Sequence, residues 1–172
     1  MEEERFVSEV RAMERTLYRV ARGYLRTWDE CADAVQEALC KAWDKRKRVD
    51  ESYFRPWLTR IVINECHNIG RRKKRLIPVA EPEREPAPEP ALPELADALE
   101  ALPEKLRLPL TLHYLEGFSV EELAQTLRIP AGTVKSRLHQ ARSRLRVLWL
   151  DAEGAETASC SAYGRPWKGA EK

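Results

Sequence analysis

The chain has 172 residues and a net charge of only +2, with 43% hydrophobic and 34% charged side chains, enough for one domain or two small ones. No apolar run approaches membrane length and the start Met1-Glu-Glu-Glu is no signal peptide, which predicts a cytoplasmic chain without membrane insertion. Cys31, Cys40, Cys66 and Cys160 show neither C-x-x-C nor His-paired spacing, and the three histidines are scattered, so no catalytic constellation, metal site or cofactor is predicted and the thiols are expected to be reduced.

Met13, Leu17, Val20, Ala21, Tyr24 and Leu25 recur at helical spacing and predict a first amphipathic helix. A second runs from Asp33 to Asp44. Ala34, Val35, Ala38, Leu39, Ala42 and Trp43 fill one half of its wheel, and Asp33, Gln36, Glu37, Cys40, Lys41 and Asp44 fill the other. The polar half reads either as ordinary solvated surface or as a docking face for a basic partner helix.

A third helix begins near Pro56, a favoured first-turn position, and runs into the Arg71-Arg-Lys-Lys-Arg75 cluster. Leu58, Ile61, Val62, Cys66 and Ile69 face inward, with Ile63 at the edge. Arg60, Asn64, His67 and Arg71 form a stripe within about 60° of arc on the other side, with Trp57 beside it. Asn and an aromatic among cations suit contact with bases, including unstacked ones. Trp57 alone is equally consistent with folding back over the loop from Arg46 to Phe54.

Residues 78–93 contain six prolines with glutamates between them and cannot build a core. They separate two basic blocks. Residues 1–80 hold 18 basic and 13 acidic side chains, residues 81–104 hold 1 and 8, and residues 105–150 hold 8 and 3. That pattern suggests two polyanion-binding modules on a tether.

Beyond the linker, Pro109 sits inside an otherwise helical stretch, where it removes a backbone hydrogen bond. Ser119 and Glu122 make an S-x-x-E capping box, which starts a helix at Ser119. Ile129-Pro130 ends that helix, and Gly132 is expected to provide the turn into the next. From Thr133, the side chains Val134, Leu138, Ala141, Leu145 and Leu148 share one apolar arc. Lys135, Ser136, His139, Arg142, Ser143 and Arg146 lie opposite. A helix with one buried stripe and a Lys/Arg/Ser/His face suits the DNA major groove; a solvated charged face is the plainer reading. The fold class is all-α: helical domains at 1–75 and 95–150, a flexible acidic Pro-rich linker at 76–94, and a poorly ordered tail at 151–172.

Together these residues resemble the sigma-70 family of transcription initiation factors, specifically its small extracytoplasmic-function (ECF) group. Asp33-Ala-Val-Gln-Glu37 with Ala42-Trp43 resembles the family's region 2.2. Phe54-Arg-Pro-Trp-Leu-Thr-Arg-Ile61 through Asn68 and the Arg71–Arg75 cluster resemble regions 2.3 and 2.4. Leu112-His-Tyr-Leu-Glu-Gly-Phe-Ser-Val-Glu-Glu-Leu-Ala124 and Gly132-Thr-Val-Lys-Ser-Arg137, with Ala141-Arg142, resemble region 4.2. The match covers roughly Leu17 to Trp149. The resemblance implies a sigma region 2 domain, a region 4 domain and no enzymatic activity. It also implies as partners core RNA polymerase (β′ clamp and β flap), promoter DNA, and an anti-sigma factor, soluble or membrane-bound.

By that resemblance, Asp33, Gln36 and Glu37 dock on the β′ clamp, and Trp57, Arg60, Asn64, His67 and Arg71 meet the −10 element. Lys135, Ser136, His139 and Gln140 approach −35 base edges, with Arg137 and Arg142 nearer phosphates. Residues 76–94 span at most about 59 Å at ~3.1 Å per residue, against about 58 Å for elements roughly 17 base pairs apart at ~3.4 Å per pair. The rivals are a LuxR-like helix-turn-helix regulator, whose sensor pattern residues 1–75 lack, and a recombinase, whose strands are not visible.

Overall fold

The computed structural model describes residues 1–76 and 93–156; the linker core and residues 157–172 lie outside the described residues. It contains α1 (Glu3–Tyr24), α2 (Trp28–Lys45), α3 (Phe54–Leu76), α4 (Pro93–Glu100), α5 (Glu104–Tyr114), α6 (Val120–Leu127) and α7 (Ala131–Glu156). Two 3-10 turns, Arg46–Arg48 and Glu51–Tyr53, carry the chain from α2 to α3. No strand occurs among the described residues.

Helix α2 starts where its sequence satisfies its own first turn. Thr27 accepts the Glu30 amide and the Glu30 carboxylate reaches back to the Thr27 amide, so two otherwise orphaned N–H groups are bonded. Its expected apolar half is the buried half: Cys31, Ala34, Val35, Ala38 and Ala42 are buried, and Leu39 and Trp43 partly so. The small alanines bring α2 close to α1 and α3, where Leu17, Val20, Leu58 and Val62 fill the space. α1 begins at Glu3, nearly three turns before the pattern from Met13 suggests, with Phe6 buried against Trp43 and Phe54 in edge contacts of 5.5 and 5.6 Å.

Ser119 caps α6 as expected, its Oγ accepting the Glu122 amide at 3.0 Å while Glu122 accepts the Ser119 amide at 2.8 Å. The turn after α6 differs from expectation. Gly132 lies inside the first turn of α7, and the left-handed residue is Arg128, at φ 53°. Its amide, with that of Ile129, closes the helix onto the Ala124 carbonyl, the usual way orphan carbonyls at a helix end are satisfied. A non-glycine residue there costs roughly 1–2 kcal/mol. The α5–α6 turn does use glycine: Gly117 has φ 68°, and the Phe118 amide returns to the Leu112 carbonyl at 2.9 Å. Pro109 is accommodated inside α5, buried.

The two halves of the chain do not stand apart. One buried cluster joins Leu17, Val20, Phe54 and Leu58 to Leu108, Leu112, Phe118, Leu123, Val134 and Leu138. A smaller cluster of Leu102, Leu106, Leu110 and Ala141 sits between α5 and α7. Because α3 packs on α1 and α2 and also on α6, Ile63 is buried rather than at an edge. Residues 151–156, expected in the tail, continue α7.

Candidate nucleic-acid interface

Helix α7 is held by Val134, Leu138 and Ala141, all buried. The opposite side exposes Lys135, Ser136, His139, Gln140, Arg142, Ser143 and Arg146. Gln140 donates to the Ser136 hydroxyl at 3.3 Å, so these two side chains form one polar unit a helical turn long. Arg142 donates to the Tyr114 hydroxyl at 3.0 Å, which steadies its guanidinium at the edge of the face. Arg137 is half-buried, and its charge is felt at the Tyr24 phenol, whose proton is held more tightly mainly through burial.

On α3 the stripe divides. Asn64, His67 and Arg71 are exposed. The His67 ring meets Tyr24 edge-on at 4.9 Å, and Arg71 donates to Asn68, which donates to Glu65. Lys41 completes that chain with a 2.6 Å ion pair to Glu65, tying α2 to α3. Burial alone would raise the Glu65 carboxyl, but its bonds to Lys41 and Asn68 hold it below the ordinary range. Trp57 is half-buried, its ring 5.9 Å from that of Phe54 in the first turn of the same helix.

Arg60 is also half-buried and donates to the Thr126 carbonyl at 2.7 Å, on the last turn of α6. Burial, with Arg128 nearby, pulls its guanidinium below the ordinary value. Its Nε has no partner, and neither has the Thr126 hydroxyl or the Thr59 hydroxyl, although all three atoms are buried. Each such orphan costs about 1–3 kcal/mol.

Asp33, Gln36 and Glu37 are all exposed on α2, with Cys40 and Asp44 further along. Phe6, Leu39, Cys40, Trp43 and Asp44 line an open, mainly apolar groove beside them. The acidic face and the basic face of α7 thus lie on different helices and carry opposite charge.

Arg55 and Glu116 were missed by sequence reading. Arg55 donates to the Glu116 carbonyl at 2.8 Å, stands 3.9 Å from the Glu122 carboxylate, and covers the Phe118 ring at 4.6 Å. The Glu116 carboxylate accepts from Thr16 and Arg19 on α1. Partners up to 100 positions apart leave no local pattern to find.

Among the described residues there is no group of acidic, His and Cys side chains fit to hold a metal, and no helix long and apolar enough to cross a membrane.

Comparison with known proteins agrees with this organisation. Residues 10–76 match the family described as sigma-70 region 2, and residues 92–145 match sigma-70, region 4. The chain is 33% identical over 137 residues to the ECF RNA polymerase sigma-E factor of Escherichia coli, covering 66% of this chain and 70% of that protein. It is 33% identical over 156 residues to the ECF RNA polymerase sigma factor SigE of Mycolicibacterium smegmatis, covering 83% of this chain and 60% of that longer relative. Among solved structures it resembles the sigma factor RpoE bound to the anti-sigma factor NepR from Bartonella quintana, with a TM-score of 0.72 and 28% identity over 85% of this chain and 97% of that one. It also resembles CnrH bound to the cytosolic domain of CnrY, with a TM-score of 0.65 and 28% identity over 88% and 91%. With an all-helical fold, both regions in order and a helix with an exposed basic face behind a capped turn, the chain belongs to the ECF group of the sigma-70 family.

Proposed function

We propose that this chain binds core RNA polymerase through α2, reads the −35 element with α7 and the −10 element with α3, and helps open the strands. It works in the cytoplasm and performs no chemistry of its own; polymerase supplies the catalysis and this chain supplies address and melting. Strand opening costs duplex stacking, averaging about 1.4 kcal/mol per base-pair step. Exposed Asn64 and His67 beside Arg71 suit capture of an unstacked base, which offsets part of that cost.

The observation that carries this reading is the separation of two exposed faces, Asp33/Gln36/Glu37 on α2 and Lys135/Ser136/His139/Gln140/Arg142 on α7. Lys135, Ser136, His139 and Gln140 stand where base edges lie in a major groove, while Arg142 serves phosphate and Arg137 contributes from the margin. An anti-sigma factor is a further expected partner, because the similar RpoE structure holds one, NepR. A LuxR-like regulator is disfavoured, since residues 10–76 match sigma region 2 rather than a sensor domain.

Charge reversal at Asp33 and Glu37 tests the polymerase face. Both side chains are exposed and outside the core, so helical content should stay at the wild-type level while affinity for core polymerase falls on the order of tenfold or more, as for a lost charged contact. Unchanged affinity, with helicity intact, would remove α2 from the proposed interface.

A further inference from the structure

Helix α7 presents its exposed face in a fixed phase, because Val134, Leu138 and Ala141 are all buried. At about 100° per residue, Ser136 projects almost directly away from that buried side, with His139 and Gln140 at roughly 50° on either hand. All three are exposed. Ser136 is therefore the crest of the face, and its short side chain lets the longer flanking ones reach past it.

Side-chain chemistry separates the residues on this face. Lys135 carries only donors, and a hydroxyl or an imidazole offers one atom in a given direction. Among Lys135, Ser136, His139 and Gln140, only the Gln140 amide sets a donor and an acceptor side by side on one plane. Its Nε2 donates to the Ser136 hydroxyl at 3.3 Å. An amide nitrogen has two hydrogens, one beside the oxygen and one pointing back along its own side chain. Ser136 lies one helical turn earlier, so it takes the back-pointing hydrogen. Oε1 and the N–H beside it are left together on the outer edge.

We propose that Gln140 selects adenine at one position of the −35 element, with Ser136 as the positioning residue that holds its amide. The major-groove edge of adenine offers the N7 acceptor and the N6 amino donor, which complement the Gln140 N–H and Oε1 one for one. Guanine would set its O6 against Oε1, cytosine offers only a donor, and thymine offers an acceptor and a methyl group. The proposal rests on the −35 reading above and adds to it the identity of one base and the two side chains that choose it.

The test is selection over duplexes with a randomised −35 element, using the full chain with core polymerase. The wild-type chain should recover adenine at the contact position on one strand, favoured on the order of 5- to 150-fold over other bases. Gln140→Glu leaves only acceptors and should move that same position to cytosine, whose N4 amino group donates. Gln140→Ala should leave the position without preference. Ser136→Ala should keep adenine there with several-fold weaker discrimination, and should change nothing at that position in a Gln140→Ala background. Replacing the adenine by 7-deazaadenine removes only the N7 acceptor; binding should weaken several-fold for the wild-type chain and stay unchanged for Gln140→Ala. Both side chains are exposed, so helical circular dichroism should stay at the wild-type level in every variant. A base other than adenine at the position that the Gln140 variants alter overturns the assignment. So does a wild-type preference that no Gln140 variant changes, or a 7-deaza effect that persists without Gln140. A single motif recovered equally with and without polymerase would instead overturn the proposed function, while the same variants and analogue would still decide whether Gln140 holds an adenine in that motif.

Discussion

Phe118→Ala should destabilise the chain by about 3–5 kcal/mol, the usual cost of emptying a buried aromatic site. Phe118 is 1% exposed and belongs to the cluster that joins both halves. It directly follows Gly117, whose positive φ fixes the turn, and the Arg55 guanidinium lies over its ring at 4.6 Å. The cavity left by alanine has little freedom to collapse, because the Phe118 amide stays bonded to the Leu112 carbonyl and its carbonyl faces His113 Nδ1 at 2.7 Å. Urea unfolding followed by circular dichroism gives the value. A loss under about 1 kcal/mol would show that the ring contributes little to the shared core.

Substitutions on α7 should divide sharply by what they touch. Lys135→Ala, Ser136→Ala and His139→Ala should each change which −35 sequence is preferred, since a good bidentate base contact carries about 1–3 kcal/mol of discrimination. Arg142→Ala should weaken all promoters alike, because phosphate contacts carry no sequence information directly. The 3.3 Å bond between Gln140 and Ser136 adds a condition: their alanine variants should be non-additive, as for side chains in one network. Selection over randomised −35 sequences in the presence of polymerase, with the affinity of each variant measured beside it, checks these outcomes. An unaltered preference in the Lys135, Ser136 and His139 variants would remove this face from base reading.

Much of this architecture was legible locally. The S-x-x-E box at Ser119 named a helix start to the residue, because the cap bonds lie within three positions of each other. The same logic, Thr27-x-x-Glu30, marks the start of α2 and was available in the sequence. The half-and-half wheel of α2 identified its buried side for the same reason: helical period is a local property. Gly132 was a less dependable guide. Glycine permits a left-handed turn but does not demand one, and Arg128 takes that conformation because the end of α6 needs its amide and that of Ile129 on Ala124.

The seam between the two halves was not legible. Arg60 looked like one more cation in a polar stripe, and nothing near it in sequence signals Thr126, 66 positions away. Glu116 carried no reading of its own, and Ile63 looked like an edge residue, because the helix that covers that side of α3 belongs to the other half of the chain. Trp57 left two readings open, and its half-buried ring, 5.9 Å from Phe54 one helical turn earlier, fits both.

The central claim is that this chain recognises promoters as a polymerase subunit, and selection from a library of randomised duplex DNA, with and without core RNA polymerase, tests it most directly. With polymerase, the recovered sequences should carry two separated motifs at a fixed spacing near 17 base pairs, and the free chain at the same salt should recover no shared motif. A single motif bound equally tightly by the free chain, unchanged when polymerase is added, would contradict the claim and mark the chain as a self-sufficient helix-turn-helix regulator.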